Sequence, residues 1–98
     1  MDKVVSIRFL RCRVADYVAR VQGGEQFVVL RHGRPIATLR SRATGERVVR
    51  LPVDTFRANL RRALSIARRR PVLLTWRGEP AAVVGPLPPD FDWEEWDL

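Results

Sequence analysis

Two stretches of the chain place apolar side chains at helical spacing. In residues 10–21 the larger apolar positions are Leu10, Val14, Tyr17, Val18 and Val21. In residues 56–67 they are Phe56, Leu60, Ala63, Leu64 and Ala67. Each set forms one stripe along an amphipathic helix. Adding 46 to every position of the first set gives the second. Arg11 then falls on Arg57, and the small Cys12 on the small Ala58.

A hairpin follows each predicted helix. Glu25 to Leu30 and Ile36 to Arg40 read as strands around Arg31-His32-Gly33-Arg34-Pro35. Val72 to Trp76 and Ala81 to Gly85 read likewise around Arg77-Gly78-Glu79-Pro80. Here the offset is 45, which sets Gly33 on Gly78, Pro35 on Pro80 and Ala37 on Ala82. Glycine supplies a positive φ in such a turn, and proline lacks a ladder donor near the strand start. The lost residue lies where Gln22-Gly23-Gly24 becomes Arg68-Arg69-Arg70. Short β segments, Lys3 to Ile7 and Arg47 to Val53, precede the helices.

The pattern predicts an α+β chain built from two β-α-β-β units. The expected organisation is a first unit over 1–41, a linker over 42–46, a second unit over 47–86, and a Pro-rich linker with an acidic aromatic tail over 87–98. A unit of about 40 residues cannot bury its apolar face alone. Two copies in one chain can bury those faces against each other, as an intrachain pseudo-twofold dimer. Any surface chemistry is then expected twice.

Charge sharpens this division. The net charge is +7. Residues 1–88 hold all 18 basic groups and six acids, a net +12, while residues 89–98 hold five acids and no base. Codon bias can account for arginine over lysine, but not for base over acid. No apolar run approaches the length of a membrane span. The Met-Asp-Lys-Val-Val start lacks the apolar core of a signal peptide, and one cysteine cannot form an internal disulfide. A cytoplasmic location is expected. One histidine and one cysteine do not make a usual zinc site, and no catalytic triad, paired-carboxylate or phosphate-loop pattern occurs. A non-enzymatic protein without cofactor or metal is the expectation.

Copy 1 runs through Val5-Ser6-Ile7-Arg8-Phe9-Leu10-Arg11-Cys12-Arg13-Val14, then Val18-Ala19-Arg20-Val21-Gln22-Gly23-Gly24-Glu25, then Val28-Val29-Leu30-Arg31-His32-Gly33-Arg34-Pro35-Ile36-Ala37. This order and spacing resembles the prevent-host-death (Phd/YefM) antitoxin family over residues 5–40. Copy 2 resembles it again over 49–85, with Phe56-Arg57-Ala58-Asn59-Leu60 the closer match at the helix start. The resemblance implies a small DNA-binding unit that dimerises and represses its own operon, with a C-terminal extension that wraps a toxin. It places the DNA-contacting arginines at the helix start and at the end of the hairpin's first strand. These become Arg11 and Arg31 in copy 1, and Arg57 and Arg77 in copy 2, where either Trp76 or Arg77 takes the second place. The sequence departs from the family pattern in three ways. Phe9 stands at the capping glutamate, Arg13 at the helix-start asparagine, and a second copy where a long toxin-binding segment is usual.

The expected nucleic-acid contacts are therefore Arg11, Arg13, Arg31, Arg34, Arg57, Arg61 and Arg77, with Arg62 beside them. Such groups bind phosphates through counterion release, and arginine also reads guanine edges. A twofold arrangement favours an inverted-repeat site. A solvated arginine-rich face, or a basic protein-binding surface, has the same signature. Arg68-Arg69-Arg70 complements the helix dipole without any ligand. His32 reads as a turn residue and Cys12 as a small packed side chain. In the tail, Phe91, Trp93, Glu94, Glu95, Trp96 and Leu98 are the expected contacts to a protein partner, a toxin or a subunit of an assembly. Folding back on the basic face, or a solubilising role, are the other readings of that segment. The functional expectation is an antitoxin-like operon repressor; the alternative is a non-enzymatic adaptor anchored by its tail. Further self-association through edge strands is open to either.

Overall fold

A computed structural model describes residues 3–92. Its elements run β1 (Lys3–Ser6), α1 (Ile7–Cys12), α2 (Val14–Gln22), β2 (Phe27–Arg31), β3 (Arg34–Arg40), β4 (Val49–Pro52), α3 (Val53–Ala58), α4 (Leu60–Ala67), β5 (Val72–Trp76) and β6 (Glu79–Gly85). The fold is α+β, with one six-stranded sheet in the order β1-β2-β3-β6-β5-β4. Each first strand runs parallel to the second strand of its half, and the remaining pairs are antiparallel.

The halves meet at β3 and β6. Leu39 lies opposite Val84, flanked by Thr38 opposite Gly85 and Arg40 opposite Val83. Leu39 and Val84 are equivalent positions at the offset of 45, so the register is symmetric about that pair. Thr38 Oγ1 donates to the carbonyls of Gly85 and Pro86, each at 3.3 Å. Both hairpins turn through two residues of positive φ, His32 (51°) with Gly33 (77°), and Arg77 (52°) with Gly78 (80°). This backbone matches the twist of the flanking strands. Each half also carries a register shift at the same place, between Val29 and Leu30 and between Leu74 and Thr75.

Each predicted helix is broken once. Arg13 and Asn59, again equivalent, leave the helical region at φ −133°, ψ 39° and φ −126°, ψ 43°. At each break the same residue closes one helix and opens the next. Arg13 N–H donates to Phe9 and Tyr17 N–H to the Arg13 carbonyl, and Asn59 and Ala63 repeat the arrangement. Leu10, Val14 and Val18, like Phe56, Leu60 and Leu64, stay buried across the break, so the apolar pattern reads as one helix. Ser6 Oγ accepts from Phe9 N–H at 3.2 Å and caps α1. Pro52 stands at the same place in the second half and offers no side-chain cap.

The helical stripes pack on one face of the sheet. Leu10, Val14, Val18, Val21, Phe56, Leu60, Leu64 and Ala67 join Val5, Phe27, Val29, Leu39, Val72, Leu74 and Val84 in a single buried cluster. Val28, Leu73 and Val83 are buried outside it. After β6 the chain passes Gln26, Val28, Thr38 and Pro71, so that Pro86 to Pro89 and Phe91 line a pocket of about 510 Å³ with them. Because one core serves both halves, they are expected to unfold together. Leu39→Ala should lower stability by about 2–5 kcal/mol in a single urea transition. Two separate transitions by circular dichroism and tryptophan fluorescence would show that the halves fold independently.

Candidate nucleic-acid interface

The structure sets the helical layer of one half against the hairpin of the other. α1 and the β2–β3 turn form one wall of an open groove, and α4 forms the opposite wall. Its apolar lining is exposed Ala58 with Ile7, Ile36, Leu60 and Leu64, and the last four belong to the core or pack on it. Above them stand Arg11, Arg31, Arg61, Arg62 and Arg68, with His32, Asn59 and Ser65. All five arginines are exposed, and no acidic side chain lines the groove. The volume is about 900 Å³.

Of the arginines expected from sequence, Arg11, Arg31, Arg61 and Arg62 come together here. Arg34 begins β3 directly across the turn from Arg31. Arg13 sits at the break between α1 and α2, Arg57 in the last turn of α3, and Arg77 in the second hairpin turn. None of these three lines the groove. Register also decides which residue of copy 2 matches Arg31. Trp76 ends β5 opposite Glu79, as Arg31 ends β2 opposite Arg34, so Trp76 holds the matching place and Arg77 answers to His32. The Arg77 guanidinium lies over the Trp76 ring, 5.6 Å from its centroid, and Trp76 is 51% exposed.

Arg68 and His32 were not among the expected contacts. Arg61 and Ser65 on α4 and Arg68 at its C-cap lie at i, i+4 and i+7, one face of the helix, and that spacing is the sequence signal that could have found Arg68. Nothing local indicated that this face lies opposite the hairpin of the other half. Cys12 is exposed rather than packed.

Ion pairing divides the basic groups. Glu25 accepts from Arg20 Nε and Nη2 at 2.8 and 3.0 Å, and from Lys3 Nζ. These donors hold its carboxyl down at about 2, the Arg20 bonds contributing most. The Arg20 guanidinium also lies over Phe27 and Tyr17, at 4.9 and 5.6 Å from the ring centroids. Where β3 meets the linker, Arg40 Nη1 donates to Glu46 at 2.9 Å, and Ala43 N–H donates to the same carboxylate. The Arg40 bonds hold Glu46 below the usual carboxylate range. Among the described residues, no ion pair or side-chain hydrogen bond engages the five groove arginines. They can present planar, bidentate donors to an anionic partner.

Phe91 is half-buried in the chain's own pocket beside the sheet. Trp93, Glu94, Glu95, Trp96 and Leu98 lie outside the described residues. Among the described residues no helix is long and apolar enough to cross a membrane, and no three His, Cys, Asp or Glu side chains gather as a metal site. No protein-family model, curated protein or solved structure matches the chain.

The linker pair carries a pH dependence. Folding lowers the Glu46 pKa, so its contribution is complete above the unfolded value near 4.5 and is lost as pH falls through the lower folded value. Glu46→Gln should cost about 1–2 kcal/mol at neutral pH, since it leaves half-buried Arg40 without its counter-charge. The same variant should shrink the stability lost below pH 4.5. Urea midpoints measured across acid pH check both effects.

Proposed function

We propose that the chain is an antitoxin-like DNA-binding protein, two tandem Phd/YefM-like units acting as a dimer within one polypeptide. On this reading it is a non-enzymatic repressor of its own operon, and its acidic aromatic tail engages a toxin. The observation that carries the DNA assignment is the groove between the halves, lined by five exposed arginines and no acid. Both halves build it, which gives their joining a functional consequence. Arginine forks suit phosphate oxygens and guanine edges alike. The net +12 of residues 1–88 favours approach to a polyanion. A cytoplasmic site of action belongs to the same reading.

A second reading is an adaptor subunit that uses the sheet as scaffold and the tail as anchor. One feature favours it. Residues 89–98 hold five acids, no base and two of the chain's three tryptophans, a composition suited to a docking peptide. Deleting residues 90–98 separates the readings. A repressor should keep its affinity for DNA when they are removed, whereas an adaptor should lose its co-purifying partner and show no DNA complex at all.

Binding of the full chain to a labelled duplex from its own upstream region should weaken steeply with salt. Five phosphate contacts give a log–log slope of about −4.5. The double variant Arg11→Ala/Arg31→Ala should reduce that slope by about 2. Absence of a complex at low salt, by fluorescence anisotropy, would sink the assignment.

A further inference from the structure

The backbone of this protein repeats, but its surface charge does not. The offsets of 46 and 45 assign every groove residue a counterpart in the other half. Matching dihedrals at Arg13 and Asn59, matching turns at His32 and Arg77, and matching register shifts show that the pairs are structurally equivalent. The arginines of α4 and its C-cap are Arg61, Arg62 and Arg68, and their counterparts on α2 are Ala15, Asp16 and Gln22. Hairpin arginines Arg31 and Arg34 become Trp76 and Glu79, while Arg11 alone is matched by an arginine, Arg57.

Two basic residues run the other way. Arg13 answers to Asn59 and Arg77 to His32. Counting these, one side carries +6 and its counterpart +1 with histidine neutral. The core positions show no such divergence. Leu10 and Phe56, Val14 and Leu60, and Val18 and Leu64 are all buried.

We infer that the protein contacts duplex DNA predominantly through one of its two equivalent faces, the one formed by α1, the β2–β3 turn and α4. The inference rests on the DNA-binding reading and deepens it. An evenly charged pseudo-dimer engages two equal half-sites. This one grips a single half-site strongly and meets the other with Arg13, Arg57 and Arg77, beside Asp16 and Glu79. The footprint is one-sided, and the site it selects lacks a strong inverted repeat.

The test compares two triple variants of the full chain by anisotropy on a fluorescein-labelled mixed-sequence duplex over a salt series. Arg61→Ala/Arg62→Ala/Arg68→Ala should reduce the log–log salt slope by about 2.7. Arg13→Ala/Arg57→Ala/Arg77→Ala should reduce it by less than about 0.9. A third variant, Ala15→Arg/Asp16→Arg/Gln22→Arg, rebuilds the charged wall on the weak side. It should steepen the slope by about 2.7 and extend the hydroxyl-radical footprint to both sides. Circular dichroism checks that each variant is folded, and the gain variant tests the idea even where a loss variant is not. Equal reductions from the first two triples, with wild-type binding intact, would overturn the one-sided mode alone. A wild-type chain that forms no complex at low salt would overturn the DNA reading together with it.

Discussion

The pairing of β3 with β6 is the constraint on which the rest of the molecule depends. Each half supplies three strands and two short helices, too little to exclude water from an apolar face. Antiparallel pairing around Leu39 and Val84 joins the half-sheets, and the helical stripes then pack over one continuous surface. Residues 41–48 return the chain to the far edge, with Glu46 bound by Arg40 to fix the turn. The seam also determines which strands remain at the edges. These are β1 and β4, four residues each. Lys3 and Arg50 on them, and Pro52 at the end of β4, oppose the addition of further strands. Val4 and Val49 are nevertheless 46% and 37% exposed, so the edges retain some apolar surface.

Much of this frame is legible in the sequence, because burial imposes a spacing. Every stripe position is buried except Tyr17, which is half-buried against the core, and the six strands fall within a few residues of their expected places. Two features escape the pattern. The breaks at Arg13 and Asn59 fall on exposed positions and leave the buried positions at helical spacing, so hydrophobic spacing carries no trace of them. The match of Arg31 to Trp76 is hidden because the deletion before β5 leaves two registers open, and only the turn, with its two positive-φ residues, fixes one.

The candidate site is less legible, for a different physical reason. Its two walls are far apart in sequence. Arg11 and Arg31 are indicated by family resemblance, but their neighbours Arg62 and Arg68 come from the opposite half. Their approach follows from strand order and from the placing of each helical layer, neither of which is encoded locally. Arg68 also has an adequate local role at the end of α4, where a cation opposes the helix dipole. That role conceals its place in the groove.

Repetition of fold and repetition of chemistry answer to separate constraints. A buried position touches its equivalents through the shared core, so apolar character is held on both sides of the seam. An exposed position touches only solvent or a partner, and its charge can differ without cost to packing. The polar cluster of Lys3, Arg20 and Glu25 illustrates this freedom. Its counterparts at the same offsets are Val49, Ile66 and Arg70, and the second half folds alike without it. The total charge therefore governs only approach at distances where screening has not removed it, about 8–10 Å at ordinary salt. Closer in, orientation is set by which side of the seam holds the arginines. A long-range field from a net +12 draws a polyanion toward the body as a whole, and the groove beside α4 then determines how it docks.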